Sequence, residues 1–229
     1  MLLIGLEAPE LLLYLLTAFL VSFTFHETAH ALVASWLGDP TAKDQGRLTL
    51  NPLAHLSPTG TLLLLTVGLG WGKPVPVDPF RFRRLSPKVG MGLVALAGPL
   101  TNVLLALLVA LPLRAKLIPY TPQRVGPLFI SWGEFAALFF WLNISLATFN
   151  LIPIGPLDGS RIVAAFLPDW WFFMSARLEL YLLGLFFALI LLDRFAGTSL
   201  LVGIITPVGC QAWWALVGYT PPFPFCGLL

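Results

Sequence analysis

Charge is what this chain has least of. Only 10% of its 229 residues are Asp, Glu, Lys or Arg, where a soluble domain carries about 25%. Hydrophobic residues make up 58% and the mean hydropathy is +0.87. These values exclude a water-soluble globule and point to an all-α polytopic membrane protein. Histidine is scarcer still, with three residues, so the position of each one carries information. The two cysteines, Cys210 and Cys226, have no C-x-x-C neighbour and offer no zinc-ribbon or redox motif. They are expected to serve as small apolar residues, buried or facing lipid. The net charge of +2 comes without a basic tract, which speaks against a nucleic-acid partner. The N-terminus carries Glu7 and Glu10 and lacks the basic region of a signal peptide.

What is present is a series of long apolar runs. Residues 10–37 are long enough to cross a bilayer core at about 1.5 Å per residue, and Gly38-Asp39-Pro40 stops that helix. Residues 39–58 are polar and turn-rich, with a possible short strand at 47–50. The apolar stretch 59–71 is too short to span and reads as a re-entrant helix. Residues 72–79 alternate prolines and suit an extended segment or edge strand. Further spans are expected at 89–112, 134–152, 172–192 and 199–218, the last interrupted at Pro207, with a short surface helix at 160–167. Trp170 and Trp171 suit an interfacial aromatic belt. The fold expected is therefore about five transmembrane helices plus a re-entrant helix and a short extended or β segment. It forms one membrane domain over 1–229, with a core at about 10–165 and accessory helices at about 170–218. Lys73, Arg81, Arg83, Arg84 and Lys88 outnumber Arg114, Lys116 and Arg124 in the next loop. The first loop is thus placed in the cytoplasm, the N-terminus outside and the C-terminus inside.

One run breaks the apolar rule. Between 11 and 37 the only Asp, Glu, Lys, Arg or His residues are His26, Glu27 and His30, spaced H-E-x-x-H. Ionisable groups inside a membrane helix are costly, by about 2.5 kcal/mol or more each. Histidines at i and i+4 share one helical face and can share one metal ion. The glutamate between them is placed to activate a water on that metal. A zinc hydrolase needs a third protein ligand. Asp158, in the helix-breaking stretch 150–159, and His55, in the turn between Asn51-Pro52 and Ser57-Pro58, are the candidates. His55 suits a supporting role or plain structure better than ligation. Asn150 either binds substrate backbone or satisfies the broken helix, and Asn102 reads first as a polar contact between helices.

These residues, taken together, resemble the site-2 proteases, a family of intramembrane zinc metalloproteases. His26-Glu27-Thr28-Ala29-His30 looks like the family's zinc and base motif. Arg47-Leu48-Thr49-Leu50-Asn51-Pro52-Leu53-Ala54-His55 is similar to its loop after the first core helix. Trp71-Gly72-Lys73-Pro74-Val75-Pro76-Val77 is similar to its proline-rich extended segment, and Ala97-Gly98-Pro99-Leu100-Thr101-Asn102 to its middle core helix. Asn150-Leu151-Ile152-Pro153 with Pro156-Leu157-Asp158-Gly159 is similar to the last core helix, where the aspartate is the third zinc ligand. The resemblance covers about 20–165. Gly155 stands where many members have proline, and Ser57 where an acidic residue is common. No insertion is long enough for a PDZ domain, so the compact type is implied.

The resemblance implies one zinc per chain held by His26, His30 and Asp158, with Glu27 as the base. Transmembrane segments of membrane-bound proteins would be cut within the bilayer. Pro74, Val75 and Pro76 would hold the substrate extended, and His55, Asn150 and Asn102 would support the site or the substrate. The site is expected toward the cytoplasmic side of a bacterial cell membrane, about 10 Å below the surface from the position of His30. Anti-sigma factors, transcription factors and signal-peptide remnants are the substrate classes it implies. The competing readings are a non-enzymatic membrane metal transporter or scaffold, and a zinc hydrolase acting on another membrane substrate.

Overall fold

A computed structural model of the chain describes residues 9–67, 70–120, 131–196 and 200–221, with Phe223 and Cys226. Glu7 and Arg124, used above for leader and topology, lie outside the described residues. The first long helix, α1 (Pro9–Leu37), ends at the expected stop. Gly38 takes φ +108°, and the amides of Gly38 and Asp39 turn back to the carbonyls of Ser35 and Ala34 at 3.1 and 3.0 Å. This is a glycine-closed helix end with Pro40 behind it. There follow α2 (Thr41–Asp44), a 3₁₀ turn (Pro52–Ala54) and α3 (Pro58–Val67). At about 15 Å long, α3 is too short to cross a membrane. A second 3₁₀ turn (Pro79–Arg81) leads to α4 (Pro87–Arg114). Then come α5 (Trp132–Asn150), α6 (Asp158–Ala164), α7 (Asp169–Ala196) and α8 (Leu200–Leu216).

Among the described residues, three helices are long and apolar enough to cross a membrane: Leu11–Leu37, Pro87–Arg114 and Trp132–Asn150. The two other expected spans supply only shorter apolar stretches, Tyr181–Ile190 and Leu200–Leu216. The central helix is α4, which packs on α1, α5 and α6. Its buried face is built from small residues, Gly90, Gly92, Ala95, Ala97, Gly98, Ala106 and Ala110 among them. Lipid is as apolar as any side chain, so helices in a membrane associate through close packing and polar contacts, which small residues permit.

The far end of the bundle is apolar. Leu113 of α4, Phe140 of α5 and Trp213 of α8 meet there, the two rings edge to face with centroids 5.3 Å apart. Three expectations are corrected here. Cys210 and Cys226 are not separate apolar fillers but a disulfide, formed because the chain after α8 folds back over that helix and sets Phe223 on Trp141 and Trp213. Pro207 lies inside α8 without ending it. The C-terminal end of α8 packs beside the C-terminal end of α4, opposite to the side expected for it. The reason is that α7 stays at the catalytic end, with Phe186 on Phe149 and Phe187 on Trp71.

The loops at the other end form a platform. Residues 47–50 are irregular, not a strand. The Thr49 carbonyl is taken by side chains, the Thr28 hydroxyl at 2.7 Å and His55 Nε2 at 2.9 Å. The single bridge outside helices, among the described residues, pairs Leu56 with Gly72. Beyond it residues 73–78 are extended, as the prolines require. Their inner edge is pinned at three points. The Lys73 amide donates to the His55 carbonyl at 2.7 Å. The Arg47 guanidinium donates to the carbonyls of Ala54 and Pro74. The Asp78 amide donates to the Asp39 carboxylate at 2.8 Å.

Asp39 is fully buried and also accepts from the Thr41 amide and hydroxyl. A hydrogen bond to a charged acceptor is worth about 1.5–3 kcal/mol. Asp39→Ala is therefore expected to raise hydrogen exchange at the Asp78 amide at least about tenfold while the amides of α1 stay protected. Unchanged exchange at Asp78 would show that the segment does not depend on Asp39.

Candidate metal centre

His26, Glu27 and His30 lie in the C-terminal half of α1, and Asp158 is the first residue of α6. Pro153, Gly155 and Pro156 end α5 and swing the chain back, so that Asp158 arrives beside α1. His26 Nε2 and His30 Nε2 are 3.0 Å apart, with their rings nearly perpendicular at 88°. Asp158 Oδ2 lies 3.3 Å from His26 Nε2 and 3.4 Å from His30 Nε2. Zinc bonded to nitrogen at about 2.0–2.1 Å in a tetrahedron spaces its ligand atoms about 3.3 Å apart. The observed triangle has that size.

The hydrogen bonds around the triangle explain why it suits a cation. His30 Nδ1 donates to the Val94 carbonyl at 2.7 Å, and His26 Nδ1 donates to Asn102 Oδ1 at 2.6 Å. Each neutral imidazole therefore turns an unprotonated Nε2 inward. Asp158 Oδ2 is buried and has no hydrogen-bond partner. With both Nδ1 protons given to other partners, three acceptor atoms converge, a set that a bound cation would satisfy. Two imidazoles and one carboxylate with a fourth side open are a zinc donor set. His26, His30 and Asp158 also form the one cluster of three or more potential metal ligands among the described residues.

Gly98 of α4 makes the room. A Cβ there would stand 2.5 Å from both His26 Cε1 and His30 Nε2, so α4 approaches as closely as bare backbone allows. The triangle opens into a cavity of about 680 Å³ that Glu27 also lines. Trp71, Pro74, Val75 and Val77 form its wall from the extended segment, and Asn150 and Arg161 join from the α5–α6 side. Arg177, Leu183 and Phe187 of α7 close it. A second cavity of about 450 Å³ continues past Val75 and Val77 toward Trp171 and Phe172.

The remaining residues singled out in the sequence fall differently. His55 is fully buried but outside the triangle. It holds the Thr49 carbonyl, which Thr28 of the motif also binds. Asn150 lines the cavity while its amide nitrogen donates to the Leu146 carbonyl at 2.9 Å. Asn102 does link helices, and the group it touches is His26. Pro76 does not line the cavity, whereas Val77 does. Sequence reading passed over the Val94 carbonyl, Arg177 as a cavity residue, and Asn143 and Ser22 behind Asn102. A polar residue within an apolar span was the available signal for the last two. Gly98→Ala is expected to push the imidazoles apart and weaken zinc retention under chelator challenge about tenfold or more, with the helical content unchanged. Full retention would show that α4 can retreat.

Comparison with known proteins agrees with this geometry. The family model described as Peptidase family M50 matches residues 122–192. YwhC of Bacillus subtilis, named as a candidate zinc metalloprotease, is 37% identical over 208 residues, covering 91% of this chain and 87% of its own. MJ0611 of Methanocaldococcus jannaschii, named likewise, is 33% identical over 162 residues, covering 71% and 72%. Rip2 of Mycolicibacterium smegmatis, also so named, is 32% identical over 148 residues, covering 63% of this chain and 53% of its own. No solved structure gives a significant match. Similarity of this extent, on a chain of apolar helices with a zinc donor set between them, makes this protein an integral membrane metalloprotease of peptidase family M50, the site-2 protease family.

Proposed function

We propose that this metalloprotease is an endopeptidase that cuts transmembrane segments of membrane proteins within the bilayer. The observation that carries the reading is the depth of the centre. His26 and His30 lie on a membrane-crossing helix, about 16 Å and about 10 Å from its end at Leu37, and the cavity beside them is walled largely by apolar side chains. His26, His30 and Asp158 would hold one zinc ion per chain. Bound zinc supplies Lewis acidity, making water a nucleophile near neutral pH and polarising the scissile carbonyl.

The chain's own groups do the rest. Glu27 takes a proton from the attacking water on its carboxylate and returns it to the leaving amine. The imidazoles keep their Nδ1 protons on Asn102 and Val94, so that their Nε2 lone pairs stay inward. A helical substrate hides its carbonyls in its own ladder and has to be unwound. The inner edge of residues 73–78 is used by the fold, but Val75 and Val77, on the cavity wall, make no backbone–backbone hydrogen bond with the described residues. An unwound substrate would pair there as an added strand. Residues 1–229 act as one membrane domain in this reading, with the chemistry in about 10–165 and the helices from about 170 closing the cavity.

A metal transporter needs polar groups along a path across the membrane. Here the buried polar side chains of α1, α4 and α5 (Ser22, Thr24, His26, His30, Asn102 and Asn143) gather around the centre, and the far end is sealed by Leu113, Phe140 and Trp213, which favours the protease. The catalytic end is assigned to the cytoplasm. Lys73, Arg81, Arg83, Arg84 and Lys88 lie on that side, and the Cys210–Cys226 disulfide lies toward the other, where oxidising conditions are found.

Glu27→Gln is expected to lower cleavage of a transmembrane substrate in proteoliposomes about 10²–10⁴-fold with zinc content unchanged. Cleavage near the native rate would remove Glu27 as the base. Asp158→Asn is expected to lose zinc and His55→Ala to keep it; the reverse would move the third ligand. For orientation, a membrane-impermeant maleimide added to intact cells is expected to label Lys116→Cys and not Arg84→Cys. Labelling of the second alone would invert the topology.

A further inference from the structure

Behind the metal centre lies a polar group that the chemistry above does not use. Asn102, Asn143 and Ser22 are all fully buried, each on a different one of the three crossing helices. Asn143 Nδ2 donates to the Phe139 carbonyl at 2.9 Å and to the Ser22 hydroxyl at 2.8 Å. Asn143 Oδ1 accepts from Asn102 Nδ2 at 2.9 Å, and Asn102 Nδ2 also reaches the Ser22 carbonyl at 3.4 Å. Asn102 Oδ1 accepts from His26 Nδ1 at 2.6 Å.

The direction of this chain of bonds is forced from its far end. The Phe139 carbonyl only accepts, so the nitrogen of Asn143 has to face it. The oxygen of Asn143 then faces Asn102, which has to answer with its own nitrogen. That leaves the Asn102 oxygen for His26, and an oxygen requires the imidazole proton on Nδ1. Turned the other way, Asn102 would offer an N–H to Nδ1, the proton would move to Nε2, and His26 could not ligate. We infer that Asn143, oriented by the Phe139 carbonyl and Ser22, is a positioning residue that fixes the tautomer of His26 through Asn102. The inference rests on the zinc-centre reading given above.

The position suits the task. In water an amide can turn over at little cost, but inside a membrane bundle each end of each amide needs a partner. Three helices contribute to the lock, so it also sets α1 in register with α4 and α5. A role confined to helix packing would give the same contacts, and the two differ in how they respond to a carboxylate at position 102. A carboxylate only accepts. It has no wrong orientation and needs no instruction from Asn143.

The test uses the full chain in detergent, loaded with zinc, with affinity read by chelator competition. Asn143→Leu is expected to weaken zinc about tenfold or more, the usual effect of removing a partner of a ligand. Adding Asn102→Asp to it is expected to restore affinity to within about threefold of the native chain. Native affinity in Asn143→Leu overturns the inference. So does a double variant no better than Asn143→Leu, which would reduce Asn143 to packing. Should the leucine variant not fold, Asn143→Ala takes its place. On native Asn143, Asn102→Asp is expected to keep zinc and Asn102→Leu to lose it; equal retention by both also overturns the inference. A native chain whose zinc does not depend on His26, tested with His26→Ala, would defeat the zinc-centre reading itself, a result distinct from the others.

Discussion

Two imidazole nitrogens and one carboxylate oxygen, all acceptors, meet within 3.4 Å of one another between apolar helices. A bound cation would satisfy that set, and in a medium of low polarity the attraction is little screened. Much else in the molecule follows from the need to hold those atoms there. α1 has to bring two histidines to one face, α5 has to break so that Asp158 can turn back, and α4 has to come close enough to cover both rings. The last condition is met by Gly98, where any side chain would occupy the place of the imidazoles.

Each histidine is held from behind as well as aimed from its own helix. The Val94 carbonyl fixes His30, and the amide chain through Asn102 fixes His26. These partners come from helices other than α1, so the three crossing helices are fastened to one another at the depth of the centre. Toward the far end the core packs by shape, Leu113, Phe140 and Trp213 filling the space. The bundle thus divides along its length into a polar, precise half and an apolar, filled half.

The platform beside the centre is held by a second set of polar groups. Asp39, His55 and Arg47 each reach a backbone group of the loops they support, and together they keep residues 73–78 extended along the cavity wall. His55 therefore matters to the site without touching it, because the carbonyl it binds is the one that Thr28, inside the H-E-x-x-H motif, also binds. A loop histidine held in this way is indistinguishable in sequence from a ligand.

Local chemistry made much of this protein readable from its residues. Gly38-Asp39-Pro40 ends α1, the prolines keep 73–78 extended, and the breaks around 151–157 end α5, because proline and glycine act on the backbone within a few residues. The histidine pair shares a face for the same reason, since helical spacing is local. What depended on distant partners was not readable. Residues 47–50 have the composition of a strand but spend their carbonyl on Thr28 and His55. The cysteines, 16 residues apart, pair only because the chain folds back over α8. The side on which α8 ends was decided by α7 staying at the catalytic end. The sequence by itself determined which residues are polar inside the membrane and where α1 and α5 stop. Only the tertiary structure decided which acceptor each imidazole proton would face, because a hydrogen bond between helices is set by their packing and leaves no periodic trace along the chain.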